Sequence, residues 1–172
     1  MNQSKESALN STWIDTPLGP MLAIGDEEAL YLLEFKEKKG LEREIARLKK
    51  RTKLPIVPGK PAPLKQIEGE LEEYFSGTLQ EFKTPVSLLG TPFQRRVWEE
   101  LQKIPCGETR SYADVAKAIG KPSAFRAVAL ANGANPLGII VPCHRVINSN
   151  AGLGGYGGGI KRKQWLLHHE RR

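Results

Sequence analysis

Up to Phe35 the apolar residues come in short extended runs, and beyond Leu41 they fall at helical spacing. Thr12–Thr16, Met21–Ile24 and Leu30–Phe35 read as three strands. Pro17-Leu18-Gly19-Pro20 and the acidic Asp26-Glu27-Glu28 are the turns between them. This succession predicts a small antiparallel meander, preceded by a loose tail over the first ten residues. Leu41, Ile45 and Leu48 recur among charges and predict an amphipathic helix over 41–51. Four prolines between Leu54 and Pro63 make a connector, with room for a short edge strand at Ile56-Val57. Leu64, Ile67, Leu71, Tyr74 and Phe75 predict a second helix over 64–76, ending before Gly77. No constellation in residues 1–90 suggests chemistry, and the chain contains no internal repeat.

The pattern changes near Thr91. In Thr91-Pro92-Phe93-Gln94 the threonine caps a helix, proline fills the first turn where no amide partner is needed, and Gln94 can bond back to the cap. Phe93, Val97, Trp98 and Leu101 form its buried face, and it ends before Pro105-Cys106-Gly107. Ser111 is positioned to cap a short helix from Tyr112 to Ile119, and Ser123 to cap another over Ala124–Asn132. Two short helices joined by Gly-Lys-Pro make a helix-turn-helix pattern, although two packed helices without a partner are the commoner case for an arbitrary pair. The second helix has a face that is nearly all alanine, from which Arg126 projects. Small residues allow close approach to another surface, and one arginine suits insertion into a groove. The expected fold is α+β: a small N-terminal antiparallel β-sheet with helices over 1–90, then a mostly helical, winged-helix-like domain over 91–172.

The run Ile139-Ile140-Val141 predicts a strand with no wet face that stops at Pro142. Cys143 follows at once, and His144 and Arg145 beside it favour the reactive thiolate. A single cysteine is more often an inert core residue. Three features argue otherwise: Cys143 lies beside polar groups, Cys106 has no histidine near it, and after Asp114 the only acid is Glu170. Neighbours on a strand point to opposite faces, so Cys143 and His144 need a bend, with a water relaying the proton. A basic histidine needs its second nitrogen oriented, and Glu170, on a terminal helix from Gln164, is the leading candidate. A structural salt bridge from Glu170 to a basic neighbour competes with that reading. Gly152–Gly159 reads as a substrate-covering loop, with an idle linker as the alternative. Ile160-Lys161-Arg162 stands where a phosphate cradle would have Lys-Ser or Lys-Thr.

Charge sharpens this division. The 172 residues carry a net +7. Residues 91–172 hold 13 Lys and Arg against 5 Asp and Glu, and residues 1–90 hold 13 against 14, so the excess lies in the half containing Cys143. That asymmetry suggests a polyanion, most often nucleic acid, although a basic face kept for solubility explains it equally. Two cysteines make no disulfide framework, which suggests a reducing cytoplasm. No apolar stretch approaches a membrane span, and Met1–Glu6 lacks the apolar core of a signal peptide. Two cysteines and three histidines show no ligand spacing of the zinc type.

Pro142-Cys143-His144-Arg145-Val146, with Asn135-Pro136, Ser111-Tyr112, Arg126-Ala127-Val128 and Trp165-Leu166-Leu167 followed by Glu170, resembles the O6-alkylguanine-DNA alkyltransferase family (methylated-DNA–protein-cysteine methyltransferase), bacterial type. The likeness covers roughly residues 91–170 and five separated motifs. The N-terminal half resembles the small sheet domain of bacterial members by pattern only, without the cysteine cluster of zinc-carrying members. The resemblance implies single-turnover repair of double-stranded DNA. An alkyl group would leave O6-alkylguanine, or O4-alkylthymine, for Cys143 after base flipping, with no cofactor or metal, by a monomer with no obligate protein partner. By the same resemblance, His144 deprotonates Cys143 through water, Glu170 orients the imidazole and Asn135 braces the turn. Tyr112 helps rotate the nucleotide and donates to guanine N3, and Arg126 fills the vacated stack, with Ser123 and Ala127 facing DNA. The carbonyls of Cys143 and Val146 read the guanine amino group. The amide of Gly157, where many relatives carry serine, approaches O6.

Two other classes compete. A thiol hydrolase would want a distant histidine and an oxyanion hole, and the motif order is wrong for papain-like enzymes. A regulator or a non-repairing lesion binder would replace the nucleophile, typically with tryptophan, and Cys143 is present.

Overall fold

A computed structural model describes residues 8–171. The chain divides into two compact units, one ending at Ser87 and the other beginning at Leu88. In the first, β1 (Leu9–Ile14), β2 (Met21–Gly25) and β3 (Leu30–Phe35) form an antiparallel meander. Its first strand starts earlier than its apolar pattern suggests, inside the stretch read as a tail. Leu9 is buried and its amide donates to Pro55 O at 2.8 Å. Residues 1–7 of that stretch lie outside the described residues. After α1 (Leu41–Thr52), β4 (Ile56–Pro58) joins the far edge parallel to β1, in the order β3-β2-β1-β4. The sheet is therefore mixed, because a helical crossover returns the chain in the same direction.

Every residue of β2 is buried, which is why Met21–Ile24 shows no alternation. The helix α2 (Ala62–Ser76) begins two residues before the expected start and buries Leu64, Ile67, Leu71 and Tyr74. Gly77 ends it in the left-handed region at φ 87°, which glycine adopts without strain. Buried Glu70 accepts from Thr84 Oγ1 at 2.6 Å and from the amides of Lys83 and Thr84 at 3.0 Å, tying α2 to the segment that bridges Leu30 and Val86.

In the second unit, Thr91 and Gln94 form the expected reciprocal cap at the start of α3 (Pro92–Leu101). Ser111 caps α4 (Tyr112–Ala118) in the same way with Asp114. The core gathers Val97, Trp98 and Leu101 of α3, Val115 of α4, and Val128 and Ala131 of α5 (Phe125–Gly133). Trp98 Nε1 donates to Ala131 O at 2.8 Å. Two short parallel strands, β5 (Arg110–Ser111) and β6 (Val146–Ile147), carry the start of α4 to the segment just after Cys143. The terminal helix is α6 (Ile160–Glu170).

Two expectations fail here. Ile139–Val141 is buried but is no strand. Gly138–Ile140 is a tight turn, closed by Val141 N donating to Leu137 O at 2.9 Å. Side-chain bonds from Asn135 replace a ladder, and an apolar run alone cannot separate the two. Ser123 also does not cap α5. Lys121–Ala124 closes on itself as a turn through Ala124 N and Lys121 O at 2.9 Å, so the helix starts after an uncapped Ala124.

Candidate active site

The buried turn sets Cys143. Asn135 Nδ2 donates to Val141 O at 2.8 Å and to Leu137 O at 3.3 Å, while its Oδ1 accepts from Leu137 N at 2.9 Å. Inside this clamp Ile139 sits at φ 70°, a left-handed conformation that costs a β-branched residue about 1–3 kcal/mol. The chain then bends as a 3-10 turn over Cys143–Arg145. This is the bend that an adjacent cysteine and histidine require. Cys143 is 7% exposed. Asn132 of α5 donates its Nδ2 to Cys143 O at 3.2 Å, so the second helix of the helix-turn-helix pair is tied to the backbone of Cys143.

His144 is fully buried, with Nε2 2.6 Å from Glu170 Oε2. Arg145 grips the same carboxylate, Nε to Oε1 at 2.8 Å and Nη2 to Oε2 at 3.1 Å, and donates Nη1 to Ile104 O at 2.7 Å. Burial alone would raise the Glu170 pKa, but the bonds from His144 and Arg145 hold it well below the carboxylate range. An ionised Glu170 only accepts, so His144 Nε2 must carry the proton and Nδ1 the lone pair. That Nδ1 is buried and has no hydrogen-bond partner among the described residues. Burial is the main cause lowering the His144 pKa, aided by Arg145 and Lys163 against the pull of Glu170. The imidazole is neutral and basic at Nδ1.

Lys163 completes the cluster. It is fully buried, and Nζ donates to Val146 O at 2.6 Å and to Gly155 O at 3.1 Å. Burial lowers its pKa to about 8, with Cys143 close enough to push the other way. Tyr112 faces the same group: burial and then Cys143 raise its pKa, so the phenol keeps its proton. Gly154 backs on Tyr112 at φ 71°, and a Cβ there would lie 2.9 Å from the hydroxyl oxygen. The other thiol, Cys106, is pushed up by burial and by Glu170.

Cys143, His144, Glu170, Asn135, Val146 and Tyr112 thus belong to one cluster. The Val146 carbonyl already accepts from Lys163, leaving one lone pair. Ser123, Arg126 and Ala127 lie exposed at the start of α5, and the Arg126 guanidinium rests 6.0 Å over the Phe125 ring. Gly157 is exposed in the turn before α6. Lys163, Asn132 and the grip of Arg145 on Glu170 were missed from sequence. Lys163 shares a helical face with Leu166, Leu167 and Glu170, and a charge repeating on an apolar face was the available signal. Among the described residues no three His, Cys, Asp or Glu side chains cluster to hold a metal ion, and no helix is long and apolar enough to cross a membrane.

Fold and site together define a class: a helix-turn-helix unit whose buried cysteine stands beside a histidine–glutamate pair. Two family models match the chain: the DNA-binding domain of 6-O-methylguanine DNA methyltransferase over residues 92–172, and that family's ribonuclease-like domain over residues 9–88. The methylated-DNA–protein-cysteine methyltransferase of Shigella flexneri is 45% identical over 163 residues, 91% of this chain and 92% of that protein. The crystal structure of the Mycobacterium tuberculosis O6-methylguanine methyltransferase superposes with a TM-score of 0.81 at 44% identity, covering 95% of this chain and 93% of that one. A crystal structure of the Mycobacterium tuberculosis protein in complex with DNA gives 0.82 at 43% identity, covering 94% and 92%. The chain belongs to the 6-O-methylguanine DNA methyltransferase family.

Proposed function

We propose that this chain repairs O6-alkylguanine, and O4-alkylthymine, in double-stranded DNA by moving the alkyl group onto Cys143 once per molecule. Transfer to a cysteine of its own chain is the reaction of its family. The observation that carries the assignment to Cys143 is the His144–Glu170 pair at 2.6 Å, which leaves a basic Nδ1 on the residue next to the thiol. The Cys143 thiol gives its proton to His144 through a water, and Sγ attacks the alkyl carbon. The S–C bond forms as the C–O6 bond breaks, and the electron pair goes to the guanine. Tyr112 then donates its proton at N3, so neutral guanine leaves, and His144 returns the thiol proton to the phenolate. The carbonyls of Cys143 and Val146 read the guanine amino group, and the Gly157 amide approaches O6.

A lesion inside a duplex is unreachable unless the nucleotide is flipped, and unstacking costs a few kcal/mol. Arg126 enters the vacated stack, with Ser123 and Ala127 against the DNA. We assign DNA binding and transfer to residues 91–172 and a structural role to residues 1–90, in a monomer that acts in the cytoplasm without a cofactor. The product is a thioether, which this site holds no group to cleave. Intact-protein mass after mixing with a duplex carrying O6-methylguanine tests the reading. One methyl on Cys143 and a plateau at one lesion per protein are expected. Repair beyond that plateau, or a methyl on Cys106, overturns it.

A further inference from the structure

The outer crest of α5 carries a residue that the proposed mechanism leaves idle. Val128, Ala131 and Asn132 form the buried side of this helix. Opposite them stand Arg126 and Leu130. Four residues apart on a 3.6-residue turn, they lie about 40° apart around the axis and about 6 Å apart along it. Leu130 is 79% exposed, more than any other large hydrophobic side chain among the described residues. A single exposed leucine is ordinary on a protein surface. This one is set apart by its neighbours: exposed Ala127 and Gly133 leave the helix bare around it, and Arg126 precedes it by one turn. All the excess positive charge of the chain lies in the same half, with 13 Lys and Arg against 5 Asp and Glu in residues 91–172. A polyanion brought to this face by charge meets an apolar side chain as its most prominent feature.

We infer that Leu130 is an apolar wedge that packs into a base step beside the one Arg126 enters. The inference rests on the reading that α5 faces the DNA. Base pairs stack at about 3.4 Å, so two side chains about 6 Å apart reach different steps, one to two base pairs apart, rather than the same one. Proteins that distort a duplex insert leucine and similar side chains between bases, unstacking them in part. Arg126 offers charge and hydrogen bonds to the gap left by the flipped nucleotide, and Leu130 holds the adjoining step open without a polar partner. The wedge is useful only where there is stacking to disrupt, so it bears on paired lesions and little on unpaired ones.

The experiment compares the full-length protein with Leu130→Ala, Leu130→Gln and Arg126→Ala. Single-turnover transfer is measured on O6-methylguanine in a duplex and in a single-stranded oligonucleotide of the same sequence. Both Leu130 variants should lower the duplex-to-single-strand rate ratio by at least about tenfold, the order set by losing the burial of one leucine. A 2-aminopurine placed one step from the lesion should brighten on binding wild type and brighten less with Leu130→Ala. The salt dependence of duplex binding should keep its slope, since no phosphate contact is lost. Thermal melting should not fall, since the side chain is outside the core. An unchanged ratio in both Leu130 variants, with a lowered one in Arg126→Ala, overturns the wedge and leaves the proposed function standing. Unchanged ratios in all three overturn the DNA-facing reading of α5 itself. A ratio raised by Leu130→Ala marks the leucine as an obstacle and also overturns the wedge.

Discussion

Each unit buries one cluster of opposite charges, and the two are built in inverse proportion. In the first, Lys38 serves two carboxylates, bonding Glu34 and lying 3.1 Å from Glu44 Oε1. In the second, one carboxylate, Glu170, serves both the Arg145 guanidinium and the His144 imidazole. The proportion decides which proton is frozen in place. With carboxylates in excess, burial and then Glu44 raise Glu34 well above its usual pKa against the pull of Lys38, which favours its protonated form. With basic side chains outnumbering the carboxylate, Glu170 stays ionised, and burial together with Arg145 keeps His144 neutral. Similar residue types therefore give an inert knot in one unit and a proton acceptor in the other. The difference is one of stoichiometry around the carboxylate, and no thiol adjoins the first cluster in sequence.

The sharpest way to break the comparison is to neutralise one carboxylate in each cluster. Glu170→Gln removes the ionised acceptor, and the new amide can present N–H to His144 Nε2. The imidazole proton then moves to Nδ1 and the base is lost. Acid–base assistance is worth about 10²–10⁴-fold, so single-turnover transfer should fall by at least about 10²-fold. Arg145 also loses its counter-charge inside the protein, a change that costs about 3–5 kcal/mol for a broken buried pair. Glu34→Gln mimics the protonated form that burial favours at this position, in the unit without Cys143, so transfer should keep its wild-type rate and melting should shift less. Comparable loss of transfer in the two variants would erase the distinction between the clusters.

A smaller effect, about tenfold in rate, is expected at Lys163. Its ammonium bonds two carbonyls, and its charge favours a thiolate at nearby Cys143. With a pKa lowered to about 8, it loses that charge at modestly alkaline pH. Wild-type transfer should therefore decline as pH rises through about 8, while neutral His144 keeps the acid limb below its ordinary value near 6.5. Lys163→Met should lower the rate and remove the alkaline decline, and Lys163→Arg should shift the decline upward. Coincident pH profiles for the three proteins would show that Lys163 acts through structure alone.

What the sequence reveals follows the range of the interaction. Capping at Thr91 and Ser111 is settled within four residues, and both caps are legible. The faces of α1 and α2 repeat with the helix period, and both helices are found. Glu170 stands out because no other acid follows Asp114. The Asn135 clamp is reached only through the family resemblance, because three backbone bonds from one amide replace a strand ladder, and the apolar run it folds reads alike in either form. Ser123 misleads because a competing turn absorbs it two residues before the helix. The helical face of Lys163 marks it as buried, but what it bonds is invisible to local rules, since its two acceptors lie 17 and 8 residues upstream and are backbone carbonyls with no side-chain signature. The parallel return of β4 likewise depends on where α1 carries the chain.

The smallest expected effect is a pair of opposed stability slopes. The folded pKa of His144 lies below its unfolded value, so unfolding takes up a proton as the solution is acidified. Its contribution is complete above about pH 6.5 and is lost as pH falls through that value toward the folded pKa. Glu170 adds a further loss below about pH 4.3, because its folded pKa is also lowered. Glu34 has the opposite sign. Its folded pKa is raised, so its contribution is complete below about pH 4.3 and is lost as pH rises toward the folded value. Between pH 6.5 and 4.5 the second unit should therefore weaken while the first gains. Amide hydrogen exchange, corrected for the intrinsic pH dependence, resolves the two within one molecule. Protection in α6 and around Cys143–Arg145 should fall with acidification, and protection in β2 and β3 should hold or rise. Glu34→Gln should abolish the rise in β2 and β3 and leave the fall in α6 untouched. Parallel loss of protection in both units would mean that the Glu34–Lys38–Glu44 cluster does not retain its proton, and the inverse stoichiometry would then not govern the charge states.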